Sequence, residues 1–75
     1  MEALTRITTN PEVMGGKPCI RGMRVTVGMI LEALASGRSE QQLLNDFPYL
    51  EEPDIRESLF FAAKLAQGRE IALAS

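Results

Sequence analysis

The sequence predicts a mainly α fold: a three-helix, helix-turn-helix-like bundle with a short N-terminal β-hairpin arm. Three observations carry this. Turn-forming residues crowd the stretch before Thr26, apolar residues recur at helical spacing after it, and each helical run is bounded by recognisable caps and stops.

In the arm, Asn10-Pro11, Gly15-Gly16, Pro18 and Gly22 each fix a turn through a locked or a positive φ, so no helix survives there. Short extended candidates lie between these breakers, at Arg6 to Thr8, Pro18 to Ile20 and Met23 to Val25. Arg21-Gly22 joins the last two as in a two-residue hairpin.

From Thr26 the pattern changes. Val27, Ile30, Leu31 and Leu34 fall on one helical face, with Thr26 as N-cap and Gly37 as the stop. Ser39 with Gln42 forms a capping box for a second helix whose apolar face is Leu43, Leu44 and Phe47, and Pro48 ends it. Pro53 suits the first turn of a third helix running to about Gln67, with Gly68 closing it. Its inward stripe is read as Ile55, Leu59, Ala62, Ala63 and Ala66. Phe60, Phe61 and Leu65 then form a surplus apolar surface, which either the arm folds over or a partner chain covers. The tail around Ile71 and Leu73 either frays or docks on another chain.

Seventy-five residues suffice for one core, so residues 1–75 read as a single domain, with 1–25 the arm and 26–75 the helical part. The lone Cys19 excludes an internal disulfide, and the absence of histidine removes a usual zinc site. No metal or cofactor is expected, and self-association is the remaining source of extra stability. No apolar run approaches the ~18 residues of a membrane span and no charged, apolar leader opens the chain. A cytoplasmic protein without membrane contact is expected.

The net charge of −2 divides unevenly. Residues 1–38 hold five basic and three acidic side chains (+2), and residues 39–75 hold three basic and seven acidic ones (−4). Nucleic-acid contact would therefore be local. Lys17, Arg21, Arg24 and Arg38 are its candidates, set against solvation or pairing with Glu12 and Glu32. In a helix-turn-helix reading, Arg56 and Lys64 of the third helix would read the major groove, although Glu51, Glu52 and Asp54 make its start acidic. Those carboxylates complement the helix dipole better than they serve catalysis. Gly15-Gly16-Lys17-Pro18 lacks the spacing of a phosphate loop and reads as a tight turn. Cys19, with no histidine partner, reads as a core thiol and not as a nucleophile. No enzyme is expected.

The run from Ile7 to Val27, through Gly15-Gly16-Lys17-Pro18-Cys19-Ile20-Arg21-Gly22-Met23-Arg24, closely resembles the bacterial domain-of-unknown-function family 433. The likeness continues through Gly37-Arg38-Ser39, Leu43-Leu44, Asp46-Phe47-Pro48-Tyr49-Leu50, Asp54-Ile55 and Leu59-Phe60-Phe61-Ala62-Ala63. Met23 stands where that family commonly has threonine. The resemblance implies a winged-helix-like or helix-turn-helix-like fold and the role of an antitoxin opposite a PIN-like ribonuclease toxin; joined to the basic residues and the surplus apolar surface, it gives the expectation of a dimeric regulator that also contacts operator DNA. It also implies that Gly15, Gly16, Lys17, Pro18, Arg21, Gly22 and Arg24 form a signature arm, and that the C-terminal helix and tail face the toxin. The alternative is a protein-interaction module without DNA contact.

Overall fold

The computed structural model describes residues 4–68 and the backbone of 73 and 74. Strand β1, Leu4–Thr8, leads through a short 3-10 turn at Met14–Gly16 to strand β2, Cys19–Ile20. Helices α1 (Val27–Ala35), α2 (Glu40–Asp46) and α3 (Glu52–Ala66) follow, and β3 is Leu73–Ala74. The strands lie in the order β2-β1-β3.

The arm is antiparallel as expected, but β2 takes β1 as its regular partner, with Ile7 opposite Ile20 and Thr8 opposite Cys19. Met23 to Val25 is not a strand. It returns beside β2 through bonds from Ile20 N–H to the Val25 carbonyl (2.9 Å) and from Val27 N–H to the Pro18 carbonyl (2.9 Å). Arg21 (φ 47°) and Gly22 (φ 73°) both have positive φ, the condition for a tight two-residue turn of the primed type. Met23 N–H closes it on the Ile20 carbonyl at 2.8 Å. At Leu73 the tail pairs within its own chain: β3 runs parallel to β1, with Leu73 opposite Leu4.

The helices start where their local chemistry dictates. The Thr26 hydroxyl accepts from Met29 N–H at 3.0 Å. Ser39 and Gln42 complete the capping box of α2, with bonds of 3.1 and 2.8 Å. Gly37 (φ 100°) and Gly68 (φ 71°) follow α1 and α3, in the left-handed conformation that ends helices. Thr26→Ala is expected to cost about 1 kcal/mol, read as a lower urea midpoint at unchanged m value.

One core joins arm and helices. Ile7, Ile20 and Val25 pack with Val27 and Ile30 of α1, Leu43 of α2, Leu50 of the connection, and Ile55 and Phe61 of α3. The inward face of α3 differs from the expected one. It is Asp54, Ile55, Ser58 and Phe61, whereas Leu59 is 45% exposed and Ala63 and Ala66 are also exposed. An apolar stripe is a reliable guide only when buried polar groups lack partners, and here both have them. The Ser58 hydroxyl donates to the Asp54 carbonyl at 2.9 Å, and Asp54 is held by two arginines.

Candidate functional site

Asp54 is the centre of a charged clasp. It sits at the third position of α3, where the Glu51 N–H donates to its Oδ2 at 2.8 Å. The Arg21 side chain reaches it from the tight turn, with Nε 3.2 Å from Oδ1 and Nη2 3.0 Å from Oδ2, a bidentate grip. Arg21 Nη2 also donates to the Tyr49 carbonyl at 2.7 Å. Arg6 of β1 donates through Nη1 to Asp54 Oδ1 (2.9 Å) and to Glu51 Oε1 (2.7 Å). The Arg6 backbone N–H adds a bond to Glu57 Oε1 at 2.9 Å. Strand, turn and helix are thus pinned at one fully buried carboxylate.

Burial pushes the Asp54 carboxyl up, but bonds from Arg21, the Glu51 N–H and Arg6 outweigh it and hold the carboxyl below its ordinary value. The bonds that Arg6 donates to Glu51 and Asp54 raise its own value, and the bonds that Arg21 donates to Asp54 raise that of Arg21. All three groups stay charged across the physiological range. The capping reading of the acidic cluster therefore matches the structure at Asp54, which adds the ion pairs to its cap.

This clasp and two further ion pairs engage three of the six cations read as DNA contacts. Arg21 is committed to Asp54, a partner 33 positions away that local sequence inspection does not suggest. Arg38 pairs with Asp46, and Arg56 pairs with Glu52 at 2.5 Å. Lys17, Arg24 and Lys64 make no ion pair among the described residues; Lys17 and Arg24 are exposed and Lys64 is half-buried. Neither Glu12 nor Glu32 takes an arm cation as its ion-pair partner there.

The partner-binding set also divides. Phe61 is a core residue, 9% exposed, because α3 turns it toward the arm and α1. Phe60 (52%) and Leu65 (59%) are exposed. Ile71 lies outside the described residues, and of Leu73 only the backbone is described, paired with β1. The arm thus covers one of the three surplus side chains on α3 and leaves two.

Leu65 borders an open groove of about 690 Å³ between α1 and α3, floored by Val27, Leu31, Phe61 and Ala62. Met29, 45% exposed, forms its other wall, and Lys17 and Glu32 stand at the rim. Sequence reading missed this groove because Met29 and Lys17 are far from α3 in the chain. A smaller cavity of about 250 Å³ lies under the arm, lined by Thr8, Asn10, Val13, Cys19, Arg21 and Gly22. Cys19 is 2% exposed, with its thiol directed at the Lys17 carbonyl at 3.2 Å. That matches a core thiol. Met14 (φ 51°), Gly15 (φ 66°) and Gly16 (φ 84°) form the tight turn expected before Lys17 and Pro18. No helix among the described residues is long and apolar enough to cross a membrane.

A small three-helix domain whose strand arm is locked to its last helix is the class defined by this fold and clasp. Residues 7–62 match the model of the family described as "Protein of unknown function (DUF433)", and the chain belongs to that family. It is 34% identical over 64 residues to an uncharacterised protein, y4eO, of Sinorhizobium fredii, covering 84% of this chain and 29% of that protein. The chain therefore spans under a third of that relative's length. A crystal structure of a DUF433 member from Anabaena variabilis superposes with a TM-score of 0.78 at 24% identity, over 84% of this chain and 62% of that one. That second likeness is one of fold.

Proposed function

We propose that this domain is a non-catalytic, antitoxin-type regulator that acts by binding protein, with the groove between α1 and α3 as the seat of the partner. The exposed pair Met29 and Leu65 on either side of an apolar floor is the observation that carries this reading. Large apolar side chains facing each other across water are stabilised when a partner side chain fills the gap, and such a filled pocket concentrates binding energy. The partner class, a PIN-like ribonuclease, comes from the family resemblance. Lys17 and Glu32 at the rim supply one charge of each sign to orient it.

The test is a titration of a PIN-type ribonuclease from the same organism, following both heat of binding and nuclease activity. Wild type is expected to bind and inhibit, and Leu65→Glu to weaken both at least tenfold, or about 1.4 kcal/mol. No binding of any such nuclease would remove the antitoxin reading.

Operator binding is the second half of the proposal and rests on Lys17, Arg24 and Lys64, the described cations without an ion pair. Three phosphate contacts per chain correspond to a slope of about −2.7 in log affinity against log salt. A gel-shift titration showing no complex at low salt leaves the alternative, an interaction module without DNA contact. That alternative is favoured by the commitment of Arg21, Arg38 and Arg56 to ion pairs within the chain.

A further inference from the structure

The residues lining the groove between α1 and α3 narrow the kind of segment that fits it. Gly28, in the first turn of α1, is one of them. A glycine inside a helix weakens it relative to alanine, and no contact among the described residues requires one here. Its backbone has no positive φ, and a side-chain carbon at Gly28 would meet only the Thr26 hydroxyl, at 3.8 Å, an ordinary contact. What the glycine does provide is a low point in the α1 wall, beside a floor kept deep on the α3 side by the small Ala62. Small residues on both helices let a third backbone come close.

The surroundings also decide the form of that backbone. The lining residues come from α1, α3 and the turns at Lys17-Pro18 and Thr26, and none belongs to a strand. An extended segment laid there would bury N–H and carbonyl groups with no sheet edge to pair them, whereas a helix satisfies its own. Charge adds a third property. Glu32 follows Gly28 by one turn on the same face of α1, about 6 Å along the axis. It is exposed, lines the groove and has no ion pair among the described residues. Helix α1 holds no basic residue of its own, so a basic side chain at the edge of the occupant's apolar face is the complement.

We infer that the groove receives an amphipathic helix of the protein partner. Its apolar side chains enter between Met29 and Leu65, its backbone comes closest at Gly28, and a basic side chain pairs with Glu32. The inference rests on the groove being the partner's seat, but not on the partner being a nuclease.

Random peptides about 16 residues long, enough for roughly four helical turns, displayed on phage and selected on the full chain with Leu65→Glu as counter-selection, test it. Enriched sequences are expected to repeat apolar residues at i, i+3 or i+4, and i+7, with an arginine or lysine beside them. With Glu32→Lys as bait, the enriched charge is expected to turn acidic. Gly28→Leu is expected to weaken the selected peptides about tenfold or more at an unchanged far-UV circular dichroism signal. Phe60→Glu, on the exposed stripe of Leu59, Phe60, Ala63 and Ala66 along α3, is expected to leave them bound. Gly28→Ala is expected to raise the urea midpoint of the free chain. Enrichment of apolar residues at alternate positions, no enrichment over Leu65→Glu, full binding to Gly28→Leu, or a lower midpoint in Gly28→Ala overturns the inference. A chain that sediments alone as a dimer, dissociated by Leu65→Glu, overturns it too and gives the groove to a second copy. Helical peptides that bind where every PIN-type nuclease fails sustain the inference and remove the antitoxin reading.

Discussion

Asp54→Ala is expected to unfold a large share of the molecules in plain buffer. The change removes the one fully buried carboxylate among the described residues and strips Arg6, Arg21 and the Glu51 N–H of a common acceptor. Breaking a buried ion pair by deleting one member costs about 3–5 kcal/mol, because the remaining charge loses its partner without regaining full hydration. A domain this small holds only roughly 3–5 kcal/mol from its core. Arg21→Ala is expected to be milder than Asp54→Ala. It leaves Asp54 with Arg6 and the Glu51 N–H, and the deleted arginine is partly exposed. Urea titrations of the three proteins read the ordering directly, and equal midpoints for Asp54→Ala and wild type would show that the clasp holds nothing together.

The same carboxylate sets the acid limit of the fold. Its folded-state value is depressed below the ordinary one, so the folded chain binds that proton less readily than the unfolded chain does. Stability from this group is fully present above about pH 4, the unfolded value, and is lost as pH falls through the lower folded value. Thermal midpoints are expected to be flat near neutrality and to fall below about pH 4. In Asp54→Asn, if enough folded protein is recovered, that acid limb is expected to shrink, since the amide has no proton to take up there.

The parts of this fold that were legible in sequence are those fixed by neighbours in the chain. Thr26, Ser39 with Gln42, and Pro53 mark helix starts through bonds or steric limits spanning three or four residues. The Arg21-Gly22 turn was readable for the same reason. The inward face of α3 was not, because sorting by hydrophobicity turned Leu59 in and Asp54 out. The true face depends on Arg6 and Arg21, 48 and 33 positions from Asp54, and a carboxylate goes inside only when such partners arrive. The parallel pairing of β3 with β1 was equally hidden, since a two-residue strand has no periodicity of its own. At the candidate site, Leu65 was legible as surplus surface, while Met29 and Lys17 came to it only through the packing of α1 on α3.

Leu43→Ala is expected to be the most damaging purely apolar substitution in α2. This helix has seven residues, and Leu43, 1% exposed, is its one fully buried side chain. So short a helix has no stability by itself and persists because its apolar face is docked. Truncating a buried leucine to alanine costs about 2–5 kcal/mol, rising with the cavity that the surroundings fail to close. The neighbours able to close it are constrained: Leu44 and Phe47 are already packed against the core, and Phe47 is in edge contact with Tyr49, ring centres 6.0 Å apart. Collapse around position 43 would pull on the connection whose Tyr49 carbonyl receives Arg21, so the damage is expected to reach the clasp. The contrasting substitution is Leu59→Ala on the exposed stripe, where the monomer is expected to change by less than about 0.5 kcal/mol. Urea denaturation of the two variants beside wild type separates the two. A large loss at Leu59 with a small one at Leu43 would mean that α3 is rotated and that the hydrophobic reading of its face, not the clasp, describes the core.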